Sequence, residues 1–397
     1  MLNERIGQLP PSAFMILDDM IADLAPAAGL EPLNLTIGEP QNPPPAFVMD
    51  VIADNSALFS RYTAINGTPD YRRAVADWLS RHYGLPDGMI DADRNVLPVA
   101  GLREGMFMIA QIVTPEIKAG GTPTILMPNP FYHPYAGAAL AAHAEPVFVP
   151  ALPENHFMPD YAGLDEETLA RAAAVYLCSP ANPQGTAADM DYLMVMIKLA
   201  RTHDFLLIVD ECYAEVYIGG RSAGALEAAA RLGGSLDNLV VFHSLSKRSN
   251  APGLRSGFAA GDGNVLQRYF KFRNYGGVAV SMPILAAAAA LLREPDHVAE
   301  IRNFYRANFD AAERILGNRY GFYRPDGGFF LWLDVGDGVA ATRRLWTKAA
   351  LKVVPGAFMT REAPGSAAAG DPYIRLALVH DLDSTVKALN RLTETLG

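Results

Sequence analysis

The chain reads as an α/β protein, with a mostly parallel seven-stranded sheet in a large domain and a smaller α+β domain beside it. Two observations predict this. Between about residues 95 and 260, short apolar runs alternate with helical stretches, the order a wound sheet requires. Beyond residue 290, a long helical pattern gives way to three strand-like runs and a closing helix. At 397 residues and 50% hydrophobic content, the chain has enough apolar material for a large core and is too long for one compact domain. Residues 46–289 are expected to form the large domain; residues 1–45 and 290–397 are expected to form the small one.

The first residues, Met1-Leu2-Asn3-Glu4-Arg5-Ile6, are charged and lead to Pro10-Pro11 rather than to an apolar run, so no secretory leader is expected. The segment Glu39-Pro40-Gln41-Asn42-Pro43-Pro44-Pro45 excludes regular helix and central strand, and is expected to cross between domains. Strands are expected at 95–99, 124–127, 145–149, 174–177, 206–209, 239–242 and 256–260, with helices at 104–113, 190–202 and 223–232 carrying apolar residues at helical spacing. The apolar stretch from Val278 to Leu292 contains Ser281 and Pro283 and is too short to span a bilayer; its alanine run favours a buried helix. The long helix passes through Arg302, Tyr305, Phe309 and Ile315. It precedes strands at 329–333, 352–354 and 373–377 and a helix from Ser384, while residues 363–370 read as a flexible loop.

The formal charge is -10, and no basic run or basic-aromatic interleaving is present, which argues against nucleic acid as a partner. Cys178 and Cys212 are the only cysteines, too few for a disulfide framework or a metal cluster. Free thiols suit a reducing compartment, so the expected location is cytoplasmic, with no membrane partner.

The most informative segment is Ser244-Leu245-Ser246-Lys247-Arg248-Ser249-Asn250-Ala251-Pro252-Gly253-Leu254-Arg255. A lysine used for covalent chemistry needs a carbonyl partner. Pyridoxal phosphate offers an aldehyde for the amine, and a phosphate for the hydroxyls and the guanidinium. Alone, Ser-Leu-Ser-Lys also reads as a polar loop with a solvated lysine.

Four further elements fall where strands should end, the ligand edge of an open α/β sheet. Gly101-Leu102-Arg103 runs from a strand into a helix whose free N–H groups suit a phosphate, although glycine before a helix is also common turn chemistry. Tyr132, held between Pro130 and Pro134, offers a ring for stacking or for core packing. Asn182 in Ser179-Pro180-Ala181-Asn182-Pro183 can donate to a phenolate oxygen or simply form a turn. Asp210 closes a buried-strand pattern ahead of Glu211-Cys212-Tyr213; a carboxylate there can hold a pyridine nitrogen protonated. The same Asp-Glu pair can bind magnesium in nucleotide-hydrolysing enzymes, but no Gly-x-x-x-x-Gly-Lys-Ser/Thr precedes it.

Asn182, Asp210, Tyr213, Lys247 and Arg255, in this order and spacing, resemble the class I/II aminotransferases of pyridoxal-phosphate fold type I, from about residue 10 to 395. The resemblance implies that Lys247 binds pyridoxal 5'-phosphate covalently and then acts as base, with Asp210 and Tyr213 completing the catalytic set. It implies that Gly101, Leu102, Arg103, Ser244, Ser246 and Arg255 surround the phosphate, that Tyr132 stacks on the ring, and that Asn182 and Tyr213 bond the phenolate oxygen. Arg375, in Tyr373-Ile374-Arg375-Leu376, matches the binder of the substrate α-carboxylate, with Asn182 and the backbone N–H of Gly38 beside it. Tyr62 matches a tyrosine lent to the neighbouring subunit's phosphate, which implies a homodimer with shared sites.

Leu102 and Gln184 depart from the family pattern, where a small hydroxyl residue and Thr or Ser are usual. The block from His243 to Asp262 is similar to the succinyldiaminopimelate transaminase branch of bacterial lysine biosynthesis. That branch implies small-molecule substrates: glutamate and N-succinyl-2-amino-6-oxopimelate. Aspartate- or N-acetylornithine-type transamination would use the same catalytic residues, and a pyridoxal-phosphate β-lyase is a second enzyme class that stays open. An aminotransferase-like regulatory module would need a DNA-binding segment, and only about 30 residues precede Leu33, with no basic helix-turn-helix pattern.

Overall fold

In the computed structural model, residues 7, 9, 11–361 and 369–397 are described. Twelve strands follow in chain order: β1 (Leu33–Asn34), β2 (Val96–Val99), β3 (Thr124–Asn129), β4 (Glu145–Pro150), β5 (Ala172–Cys178), β6 (Leu206–Asp210), β7 (Leu239–Ser244), β8 (Gly257–Gly261), β9 (Phe330–Asp334), β10 (Leu351–Lys352), β11 (Val354–Pro355) and β12 (Tyr373–Ala377). Seven of them form one sheet in the order β2-β8-β7-β6-β5-β3-β4. The pairs from β7 through β6, β5 and β3 to β4 are parallel, and only β8 runs against its neighbours.

Strands buried on both faces read as continuous apolar runs, which is why Leu206-Leu207-Ile208-Val209 signals a central strand so clearly. Successive side chains leave opposite faces. Leu207, Val209, Val175, Leu177 and Val241 enter the core on one face, whereas Ile208, Leu206, Ala174, Tyr176 and Phe242 enter the core on the other. The first core is closed by helices Pro69–Tyr83, Met190–His203, Ala225–Arg231 and Met282–Arg293, the second by Leu102–Val113, His133–Ala141 and Gly263–Gly276. Truncating a fully buried member such as Ile208 to Ala costs about 2–5 kcal/mol, the lost transfer energy plus a cavity.

The second sheet is antiparallel, β11-β12-β9, and β1 pairs in parallel with β10. Helices Asp296–Leu316 and Leu382–Leu396 bury Ile301, Tyr305, Phe309, Leu389 and Leu392 in a core shared with Leu331, Leu333, Ile374 and Leu376 of this sheet. Helix Ala13–Ile21, capped by Ser12 Oγ accepting from Met15 N at 3.3 Å, packs Leu17 and Ile21 against Trp332, Val354 and Met359.

The seven expected strands of the large sheet are all present, with ends shifted by up to two residues. The strand expected at 352–354 is instead two strands broken at Val353: β10 pairs with β1, while β11 pairs with β12 in a different sheet. The alanine-rich helix begins only at Met282, after Ser281, with Pro283 in its first turn where a missing N–H is harmless. Residues 39–45 are neither helix nor strand. The loop expected at 363–370 lies, through residue 368, outside the described residues. Among the described residues, no helix is long and apolar enough to cross a membrane.

Candidate active site

Parallel strands bring the carboxyl ends of β3, β5, β6 and β7 to one edge of the large sheet, and Asn129, Cys178, Asp210 and Ser244 stand there. A cavity of about 510 Å³ opens over this edge and is closed on its far side by residues of the small sheet.

Lys247 reaches the cavity from a single helical turn, Leu245–Arg248, that starts where β7 stops. Ser244 caps this turn, its Oγ accepting from Ser246 N at 3.1 Å. The Lys247 ammonium donates to the carbonyl of Gly38 and lies 5.2 Å from the centre of the Phe329 ring. Burial holds this amine below the usual lysine range, while Cys212 and Glu39 pull it back up. Phe330 leaves no room for a side chain at 38: a Cβ there would sit 2.4 Å from Phe330 Cζ. The resemblance assigns Gly38's N–H to the substrate; in the structure its carbonyl holds the lysine.

Asp210 is 4% exposed. Its Oδ2 accepts from Tyr135 Oη at 2.9 Å and its Oδ1 from Cys212 N at 3.1 Å. Burial raises its carboxyl above the ordinary range, and the bonds from Cys212 and Tyr135 oppose that rise. Glu211 turns away: it accepts from Tyr83 Oη and Ala225 N, both at 2.8 Å, and lies 2.7 Å from His243 Nε2. The two acids therefore do not form a ligand pair, which removes the magnesium reading.

A corner with donors for an anion is built from Gly101, Arg255 and the serines. Gly101 takes φ 89° at the start of helix Leu102–Val113, whose first N–H groups have no side-chain cap. Arg255 sits in the left-handed region at φ 50°, and its Nη1 donates to Pro252 O at 3.0 Å. Its guanidinium lies so near Gly101 that a Cβ there would be 1.9 Å from Nη2, so any side chain at 101 displaces Arg255. Ser244, Ser246, Leu102 and Arg103 line the same cavity, and Arg103 Nε donates to Tyr132 Oη at 3.1 Å.

On the small-sheet side, Arg375 projects from β12, in register with Val354 and Trp332. It is 4% exposed. Its Nη1 donates to Asn182 Oδ1 at 3.1 Å and its Nη2 to Thr36 O at 2.5 Å, with the guanidinium 4.4 Å from the centre of the Phe330 ring. Among the described residues its Nε has no partner. Burial lowers the guanidinium to about 10, so it stays charged at neutral pH. Because Asn182 spends its oxygen on Arg375, its amide nitrogen is left to face the cavity contents.

Of the residues expected in the site, Gly38, Leu102, Arg103, Tyr132, Asn182, Asp210, Tyr213, Ser244, Ser246, Lys247, Arg255 and Arg375 line this cavity. Gly101 stands behind the Arg255 guanidinium. Tyr62 lies outside the cavity and is fully exposed. Tyr135 escaped the sequence reading. Pro134 in the first turn of helix His133–Ala141 was the available signal, since it fixes where the helix starts and hence that Tyr135 lies in the same turn. Tyr135 is also stacked on Tyr176, with ring centres 4.3 Å apart, which fixes its hydroxyl on Asp210. Arg361, Glu39 and His133 also line the cavity without having been singled out.

These groups fit pyridoxal phosphate. Asp210 is a buried carboxylate that a cationic ring nitrogen would restore to its ordinary range, Arg255 with Gly101 forms an anion cradle, and a partly buried amine, Lys247, lines the same cavity as both and as Arg375. The family profile for aminotransferase class I and II matches residues 31–392. The LL-diaminopimelate aminotransferase of Desulforudis audaxviator is 30% identical over 402 residues, covering 99% of this chain and 97% of that protein. An aminotransferase of Neisseria meningitidis is 38% identical, with a TM-score of 0.94 over 99% of both chains. A probable N-succinyldiaminopimelate aminotransferase of Thermus thermophilus, at 24% identity and a TM-score of 0.83 over 97% of this chain and 100% of that one, shares the fold. With lysine, aspartate and arginine gathered in one cavity and the family pattern spanning nearly the whole length, the chain belongs to the class I and II aminotransferases, which depend on pyridoxal 5'-phosphate.

Proposed function

We propose that this aminotransferase moves an amino group between glutamate and N-succinyl-2-amino-6-oxopimelate. The observation that carries amino transfer is that Lys247, Asp210 and Arg375 line one cavity. The finer choice is supported by the block from His243 to Asp262 and by relatives that act on the same carbon skeleton.

When bound, pyridoxal phosphate supplies an aldehyde for the amine and a ring that accepts electrons from the substrate Cα. Lys247 Nζ, which burial holds below the usual lysine range, would bond the cofactor and would then take the proton from the substrate Cα. Asp210, fixed by Tyr135 and Cys212, holds the ring nitrogen's proton. Arg375 holds the α-carboxylate in one plane with two N–H groups. Asn182 and Tyr213 would hold the phenolate oxygen, Tyr132 would pack on the ring, and Ser244, Ser246, Arg255 and the N–H groups at 101–103 would hold the phosphate. The exposed Tyr62 serves the partner's site in a homodimer, and residues 46–289 act as the cofactor domain, with 1–45 and 290–397 carrying Arg375 and Gly38 to it.

The relatives named for LL-diaminopimelate favour a second reading, in which the substrate is not succinylated. Steady-state kcat/KM with N-succinyl-LL-diaminopimelate, LL-diaminopimelate, N-acetylornithine and aspartate separates these. A preference for the succinylated compound is expected; preference for LL-diaminopimelate selects the second reading, and preference for either of the others overturns both.

A further inference from the structure

Four arginines line the cavity, and three have evident employment. Arg375 is bound to Asn182 and Thr36, Arg255 stands against Gly101, and Arg103 bonds the Tyr132 hydroxyl. The fourth, Arg361, makes no hydrogen bond from its guanidinium to another side chain among the described residues, only to the carbonyl of its neighbour Thr360. It follows the short turn Gly356–Met359, which leads away from β11, the neighbour of Arg375 in the small sheet.

Its position is built with care. Asn129, 1% exposed at the end of β3, clamps the Arg361 backbone from both sides: Asn129 Nδ2 donates to Arg361 O at 2.7 Å, and Arg361 N donates to Asn129 Oδ1 at 3.0 Å. Phe131 N donates to Met359 O at 3.1 Å, tying the same two segments one step further along. The guanidinium lies 5.4 Å from the centre of the Phe131 ring, and Nη1 donates to Thr360 O at 2.8 Å. Burial lowers it below the usual arginine range, as for a cation partly stripped of water. Arg375 and Arg361 share none of these partners, so the cavity presents two separate guanidinium stations.

We infer that Arg361 is the specificity-determining residue that binds a carboxylate at the far end of the amino-acid substrate, selecting substrates with an anionic side-chain terminus. The inference rests on this cavity being the one that takes the amino acid, and holds for succinylated and unsuccinylated diaminopimelate alike, since both carry a distal carboxylate. Phe131 and the Asn129 clamp pre-set the guanidinium, so little ordering is lost on binding.

The test uses the holoenzyme with 2-aminopimelate and 2-aminoheptanoate, amino acids of equal length with and without a terminal carboxylate. The wild type should favour 2-aminopimelate by about 10- to 100-fold in kcat/KM, the value of a charge-assisted hydrogen bond. Arg361→Ala and Arg361→Gln should collapse that ratio through the KM for 2-aminopimelate, and Arg361→Lys should restore part of it. A wild-type enzyme that does not discriminate, or a ratio unmoved in both variants, overturns the inference. A calorimetric comparison of pimelate and heptanoate binding to the same proteins reads the arginine without turnover. If amino transfer fails with every amino acid while pimelate still binds more tightly through Arg361, the reaction assigned above falls and the distal anion site stands; equal binding of the two acids overturns the site.

Discussion

Asp210 and Arg375 face the same cavity from opposite walls, and each is 4% exposed. Asp210, at the end of β6, has a donor on each oxygen, supplied by Tyr135 and by the Cys212 backbone. Arg375, on β12, bonds Asn182 and Thr36 but leaves Nε unpartnered among the described residues. A buried donor left unpaired costs about 1–3 kcal/mol. Asp210 thus has both oxygens partnered within the protein, whereas Arg375 keeps one buried donor without a partner among the described residues. The difference separates the two jobs of an aminotransferase: holding a resident cofactor, and admitting one carboxylate after another.

Variants can break this contrast at either wall. Lys247→Ala, which removes the cavity's amine, should lower amino transfer by at least about a thousandfold and abolish the visible absorbance of the protein with pyridoxal phosphate. Arg375→Ala should lower kcat/KM by about 100-fold, mainly through KM, with Arg375→Lys recovering only part because a lysine cannot hold both carboxylate oxygens in one plane. An equal fall in kcat would place Arg375 on the cofactor side and erase the contrast.

Tyr135→Phe acts on the Asp210 wall. Its bond lowers the Asp210 carboxyl, so removing it raises that group further; the acid limb of the pH–rate profile should move to higher pH, with a rate loss of about tenfold. An unmoved acid limb would deny Tyr135 its positioning role.

The smallest effect concerns stability without cofactor. The folded protein lowers the Lys247 amine, so a charged Lys247 carries a penalty that is full below its folded-state value and vanishes as pH passes the ordinary lysine value of 10.5. Lys247→Met should therefore raise the apoprotein's Tm by about 1–3 °C at neutral pH, with the gain fading in alkaline buffer.

Much of this contrast was legible in the sequence, and the residues show why. Strands such as Leu206–Asp210 announce themselves because burial on both faces demands an unbroken apolar run, and Asp210 is visible as the acid that ends it. Arg375 could be read only through the resemblance, whose α-carboxylate arginine it matches in Tyr373-Ile374-Arg375-Leu376. Partners that meet only in three dimensions were not legible: Tyr135 is 75 positions from Asp210, and Arg361 is 232 from the Asn129 that fixes it. The break at Val353 was hidden for the same reason, since the partners of β10 and β11 lie in different parts of the chain.

The central claim, that Lys247, Asp210 and Arg375 form one transaminating site, is tested most directly by a single half-reaction. Glutamate is added to the protein loaded with pyridoxal phosphate, in the absence of any oxo acid, and 2-oxoglutarate is counted against absorbance. The wild type should release one 2-oxoglutarate per site as its visible band bleaches, and Lys247→Ala should release none. A band that persists with glutamate and with the diaminopimelate donors, or bleaching of equal extent in Lys247→Ala, would contradict the account.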